Sequence, residues 1–93
     1  SGLFTPAPQN LKRLTHMDID NLVRMANQIG EFFSAYPDHN EALDGIANHI
    51  SKFWEPRMRQ KLLDAMDQGH TAELSALVLQ SLTLHRTSLQ PRA

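Results

Sequence analysis

The run Ile46-Ala47-Asn48-His49-Ile50-Ser51-Lys52-Phe53-Trp54-Glu55-Pro56-Arg57-Met58-Arg59-Gln60-Lys61-Leu62-Leu63 decides how this chain folds. Ile46, Ile50 and Phe53 recur at helical spacing, with Ala47 and Trp54 beside them, so one face of this segment is apolar. Pro56 ends that helix, because its ring removes a backbone donor and clashes with the carbonyl four residues earlier. It also drives Glu55 out of the helical region. Proline suits the first position of a new helix, so the run reads as a sharp corner between two helices. Glu55 stands at the start of the second, where a carboxylate suits the positive end of the macrodipole. The corner gathers the single Trp and four of the nine Lys and Arg residues, Lys52, Arg57, Arg59 and Lys61. Arg57 and Arg59 lie about 200° apart around a helix, so one is expected to turn inward, or against Trp54, and the other outward. The corner is either a turn with solvated charges or a docking site, since Trp and Arg dominate interface hot spots.

Upstream, Ile19, Leu22, Val23, Ala26, Ile29, Gly30 and Phe33 line one face of a first helix. Asp18 or Asp20 caps its start. A second row, Met25, Phe32 and Tyr36, widens the apolar arc, so cover is expected on two sides, part of it from another polypeptide. Asn27 and Gln28 sit between the rows, as solvent-facing or as interface hydrogen-bonding groups. Pro37 ends this helix. Asp38 and Glu41 have capping-box spacing for the next, which runs from about His39 to Trp54 with Leu43, Ile46, Ala47, Ile50 and Phe53 inward. Gly45 costs about 1 kcal/mol against Ala inside a helix. Close approach of helix one, at Gly30 or Ala26, is the expected reason. Helix three starts at Pro56 with Met58, Leu62, Leu63, Ala65 and Met66, and Gly69 suits a C-terminal cap with positive φ. Ser75 caps a fourth helix carrying Leu77, Val78, Leu82, His85 and Leu89, with an end expected to fray before Pro91. The fold class is therefore all-α: a small bent bundle of three to four helices, a helix hairpin followed by a Pro-initiated third helix.

Ninety-three residues make one domain with a modest core. A 41% hydrophobic content suits a folded helical unit. Residues 1–16 differ in texture, with Pro6 and Pro8 in a polar stretch. His16-Met17 matches a cloning junction, so 1–16 is read as a flexible, vector-derived arm and 17–93 as the helical domain. The alternative is a native arm in which Leu11 and Leu14 extend the first helix or dock elsewhere. The chain has no cysteine, which removes disulfides, thiolate catalysis and Cys-ligated metal or iron–sulfur centres. No catalytic, cofactor-binding or metal-binding residue set is visible: there is no phosphate loop, nucleophile elbow or HExxH, and the histidines are scattered. A net charge of −1, with Glu55, Asp64 and Asp67 around the basic corner, weighs against a nucleic-acid-binding module. No apolar run approaches the roughly 20 residues of a membrane span. A cytoplasmic location is the expectation.

Two segments carry a family resemblance. Arg24-Met25-Ala26-Asn27-Gln28-Ile29, and His49-Ile50 followed by Lys52-Phe53-Trp54 and Pro56-Arg57-Met58, together resemble the delta subunit of NAD-dependent molybdenum formate dehydrogenases, over roughly Met17 to Leu89. The resemblance implies a non-catalytic accessory subunit with no redox centre of its own. It implies a partner alpha subunit carrying bis-guanine-dinucleotide molybdenum and iron–sulfur clusters, and further subunits that lead to FMN and NAD⁺. The role expected is assembly, stability or molybdenum-cofactor insertion. One version is a clamp anchored by Phe32, Tyr36 and Trp54. The other has Lys52, Arg57 or Arg59 meet cofactor phosphates. The candidate partner-binding residues are Arg24, Asn27, Gln28, Phe32 and Tyr36 on helix one. To these the corner adds His49, Lys52, Phe53, Trp54, Pro56, Arg57 and Arg59. Exposed apolar rows also allow a homodimer or self-associating scaffold when the true partner is absent.

Overall fold

The computed structural model describes residues 18–92; the arm expected at 1–16 and its junction at Met17 lie outside the described residues. Among the described residues five helices follow in order: α1 Ile19–Phe33, α2 His39–Phe53, α3 Pro56–Asp67, α4 Ala76–Leu84 and α5 Arg86–Leu89. Among the described residues there is no strand. The fold is all-α, as the periodicities require.

Local chemistry sets most of the boundaries. Asp18 caps α1, its Oδ1 accepting from the Asp20 amide at 3.1 Å. Asp38 caps α2, accepting from the amides of Asn40 at 2.8 Å and Glu41 at 3.2 Å. Both satisfy amides that a helix start leaves free. Pro56 opens α3 behind an extended Glu55, which makes no side-chain cap bond. Gly69 has φ +76° and closes α3. There the His70 amide donates to Ala65 O at 2.9 Å and the Gly69 amide to Met66 O at 3.1 Å, the paired bonds of a Schellman ending. Ser75 Oγ accepts from the Val78 amide at 3.3 Å and caps α4.

α1 and α2 pack as an antiparallel hairpin, with the Phe33 end of α1 over Gly45 and the Met25 region beside Phe53 and Trp54. Beyond the corner α3 lies against α1, while α4 packs across α1 and α2 and α5 returns to α2. One cluster joins them: Leu22, Val23 and Ala26 from α1, Ile46, Ala47 and Ile50 from α2, then Trp54, Leu62, Leu63, Leu74, Val78, Leu82 and Leu89. Ser81, the one buried polar residue among the described residues, donates its hydroxyl to Leu43 O at 2.7 Å. This removes the cost of burying it unpaired.

Three expectations need correction. Phe53 does not face inward: it is 70% exposed, and Trp54 takes the core position with 5% exposure. Trp54 falls four residues after Ile50 and eight after Ile46, on the same buried row, while Phe53 lies about 100° away from it. Gly45 does take a close approach from the first helix, but at the Phe33 ring and not at Gly30 or Ala26. A methyl at Gly45 would strike that ring, whereas Gly30 is the site of close approach to Val78 of α4, where a Cβ would come within 2.5 Å of Cγ2. Nor does the fourth helix fray toward Pro91. It ends at Leu84, bends at His85 and resumes as α5, which buries Leu89 to 1% exposure.

Candidate docking groove

α1 places Met25, Gln28, Ile29, Phe32 and Phe33 at helical spacing along one side of the hairpin seam. α2 contributes His49 and Phe53, the corner Trp54, and α3 Met58. Together they line a groove of about 680 Å³. Its lining is thioether, aliphatic and aromatic apart from the Gln28 amide and the His49 ring. Phe32 and Phe33 meet edge-on, with centroids 5.0 Å apart, and Tyr36 adds a third ring 5.1 Å from Phe33. His49 stacks obliquely on Phe53 at 4.7 Å. Phe32 is 66% exposed and Tyr36 40%. These rings thus leave much of their apolar surface in water, and covering one such side chain is worth about 1.5–3 kcal/mol.

The candidate residues divide by surroundings. Phe32, Tyr36, Phe53, Gln28, Lys52 and Arg57 are exposed, and Pro56 is exposed at the head of α3. Arg24 is exposed and bonded to Asn21. His49 is half-buried in the groove wall. Trp54 forms part of the groove floor from its core position and so does not project as an anchor. Asn27 faces its own chain: Nδ2 donates to Glu73 O and Oδ1 accepts from the Ser75 amide, both at 2.9 Å, which pins the loop before α4. Arg59 likewise turns inward. Its Nε donates to Leu89 O at 3.0 Å and its Nη1 to Trp54 O at 2.9 Å and Ser51 O at 3.4 Å. The corner therefore resolves as one inward and one outward arginine.

Ile29, Phe33 and Met58 line the groove although they were read as inward-facing. Methionine at the edge of an apolar face was the available signal, since its flexible thioether suits adaptable surfaces. Among the described residues no cluster of three metal-ligating side chains occurs. The Arg86 hydrogen bond, with its charge, holds the exposed Asp67 carboxyl below its ordinary range, and Asp67 in turn raises Arg86. Among the described residues no helix is long and apolar enough to cross a membrane.

The fold and groove define a small all-helical module with an open apolar seam. The chain belongs to the NADH-dependant formate dehydrogenase delta subunit family (FdsD), whose family model matches residues 21–82. That match runs from α1 into α4 and takes in every residue lining the groove, in keeping with the resemblance seen in the two motifs. A delta subunit is one chain of a larger complex, so partner subunits are implied. No curated protein and no solved structure matches the chain at a significant level.

Proposed function

We propose that this chain is a non-catalytic accessory subunit of a formate dehydrogenase complex, and that it seats its groove on the alpha subunit as a clamp. The observation that carries this is the open seam of Phe32, Phe53, Met25 and Met58 in a chain whose family is a subunit of such a complex. Contact with the folded alpha subunit alone stabilises that form by mass action, about 2.7 kcal/mol at a hundredfold excess over Kd. The molybdenum, iron–sulfur and flavin groups then belong to the partner subunits, and this chain supplies shape during their assembly. The clamp is favoured over cofactor-phosphate binding because Arg59 is already engaged by three carbonyls. That leaves Lys52 and Arg57 as the corner's free cations beside Lys61.

Co-expression of the complex with and without this chain tests the reading. Omission is expected to lower molybdenum content and formate oxidation several-fold. Phe32→Ser with Phe53→Ser should reproduce the loss and abolish co-purification. A complex that keeps its full molybdenum content and activity in the absence of the chain would overturn the proposal.

A further inference from the structure

The groove carries its positive charge at one end. Of the cations among the described residues, Arg59 is held by carbonyls, Arg86 by Asp67, and Arg92 lies at the C-terminal edge. The remaining four, Arg24, Lys52, Arg57 and Lys61, are exposed and belong to no ion pair among the described residues. Three of them stand within one helical turn of a groove residue at the corner: Lys52 beside Phe53, Arg57 beside Met58, and Lys61 three after it, while Arg24 lines a neighbouring concavity with Asp20, Glu31 and Glu73. Only Glu55 is acidic and so placed, and Glu31 stands beside Phe32. The chain as a whole has a net charge of −1, so this end of the seam runs against the average. The aromatic end, at Phe32 and Tyr36, has no Lys or Arg within a turn.

The walls also restrict the backbone that fits. Both are helices whose main-chain groups are already paired within the helix, so the groove offers no strand edge. An extended segment laid along it would lose its water and find almost no partners. A helix brings its backbone bonds with it. From Met25 to Phe33 the wall is about 12 Å long at 1.5 Å per residue, room for two to three turns.

We infer that the groove takes a single amphipathic helix of a partner subunit, with large apolar side chains at i, i+4 and i+7 and carboxylates in the turn nearest the Trp54–Met58 corner. This rests on the accessory-subunit reading. In that orientation the carboxylates meet Lys52 and Arg57, and complementary charge fixes the direction of the helix.

A photo-crosslinking benzoylphenylalanine at position 53 or at position 32, in the co-expressed complex, tests it, with adducts mapped by peptide mass spectrometry. Both positions are exposed, so folding is preserved, and circular dichroism verifies this. The expected result is one partner segment of helical apolar spacing, with position 53 marking its acidic end and position 32 its other end. Adducts in a basic or non-periodic segment, adducts in a second copy of this chain, or no adduct from a chain that still co-purifies each overturn the helix assignment alone. Failure of the natural chain, carrying Phe32 and Phe53, to co-purify overturns the accessory reading and the inference with it. Lys52→Glu with Arg57→Glu should weaken association about tenfold at low salt and flatten its salt dependence. Unchanged affinity and salt slope would overturn the acidic end of the helix.

Discussion

Arg57 and Arg59 stand two positions apart and carry opposite duties. Arg57 opens into water beside the groove. Arg59 reaches back across the corner to carbonyls that no helix amide satisfies, those of Ser51 and Trp54 at the end of α2, and Leu89 at the end of α5. A cation there also suits the negative end of the α2 macrodipole. Hydrogen bonds from a charged donor contribute about 1.5–3 kcal/mol. Arg59→Met is therefore expected to cost about 2 kcal/mol of unfolding free energy, and Arg57→Met less than about 0.5. Urea titration followed by Trp54 fluorescence measures both, since this sole indole is buried when folded. Equal effects would show that the Arg59 bonds do not hold the corner. Nothing in the spacing of the two arginines told which one would turn inward. That followed from where Leu89 returns, thirty residues later.

At the level of elements, α5 is a strap fastened at both edges. Arg86 pairs with Asp67 of α3 through two hydrogen bonds of 2.8 Å, and His85 Nε2 lies 2.9 Å from Asp44 Oδ1 on α2. Asp67 has a folded-state pKa below its unfolded value, chiefly through the hydrogen bond from Arg86 and then its charge. A depressed carboxylate stabilises the fold above its unfolded pKa, and that contribution fades as pH falls through the lowered folded value. The window is therefore below about pH 4. The protection factors of the Leu89 and Gln90 amides, taken against the intrinsic rate at each pH, should fall over that interval in the natural chain. In Asp67→Asn they should be low already at neutral pH, with the acid-dependent step lost. A wild-type exchange profile in Asp67→Asn would mean that burial of Leu89 alone holds the strap. The starts of α2, α3 and α4 were legible from Asp38, Pro56 and Ser75, and that of α1 to within Asp18 or Asp20, because capping and proline geometry act within a few residues. α5 was not. Arg86, Thr87, Ser88 and Leu89 are no strong helix sequence, and the turn exists because Leu89 fills the core and Arg59 takes its carbonyl.

For the whole molecule, the groove is the surface most at odds with an isolated chain. Large exposed apolar patches mark interaction sites and associate when left open. Phe32→Ser with Phe53→Ser should leave stability within about 0.5 kcal/mol, since neither ring is buried. The same pair should reduce concentration-dependent association, read by sedimentation, and weaken binding of an apolar dye. Strong destabilisation would show that these rings support the hairpin. The close approach at Gly30 and Val78 is what lets α4 lie low on α1. It leaves the opposite side of the α1–α2 seam to form the groove.

The sequence alone determined the helical class, the corner at Pro56, the helix starts and the family, because these depend on periodicity, capping and motif order over short spans. It also offered Phe32, Tyr36, Phe53 and Arg57 as candidate contacts, and the structure leaves all four exposed. Only the tertiary structure decided that Phe53 faces out while Trp54 faces in, that Asn27 and Arg59 serve their own chain, and that Gly45 takes the Phe33 ring of α1 while Gly30 seats α4. The physical reason is the same in each case. An apolar or charged side chain at the edge of a helical face has two directions open to it, and what selects one is a surface contributed by residues far along the chain.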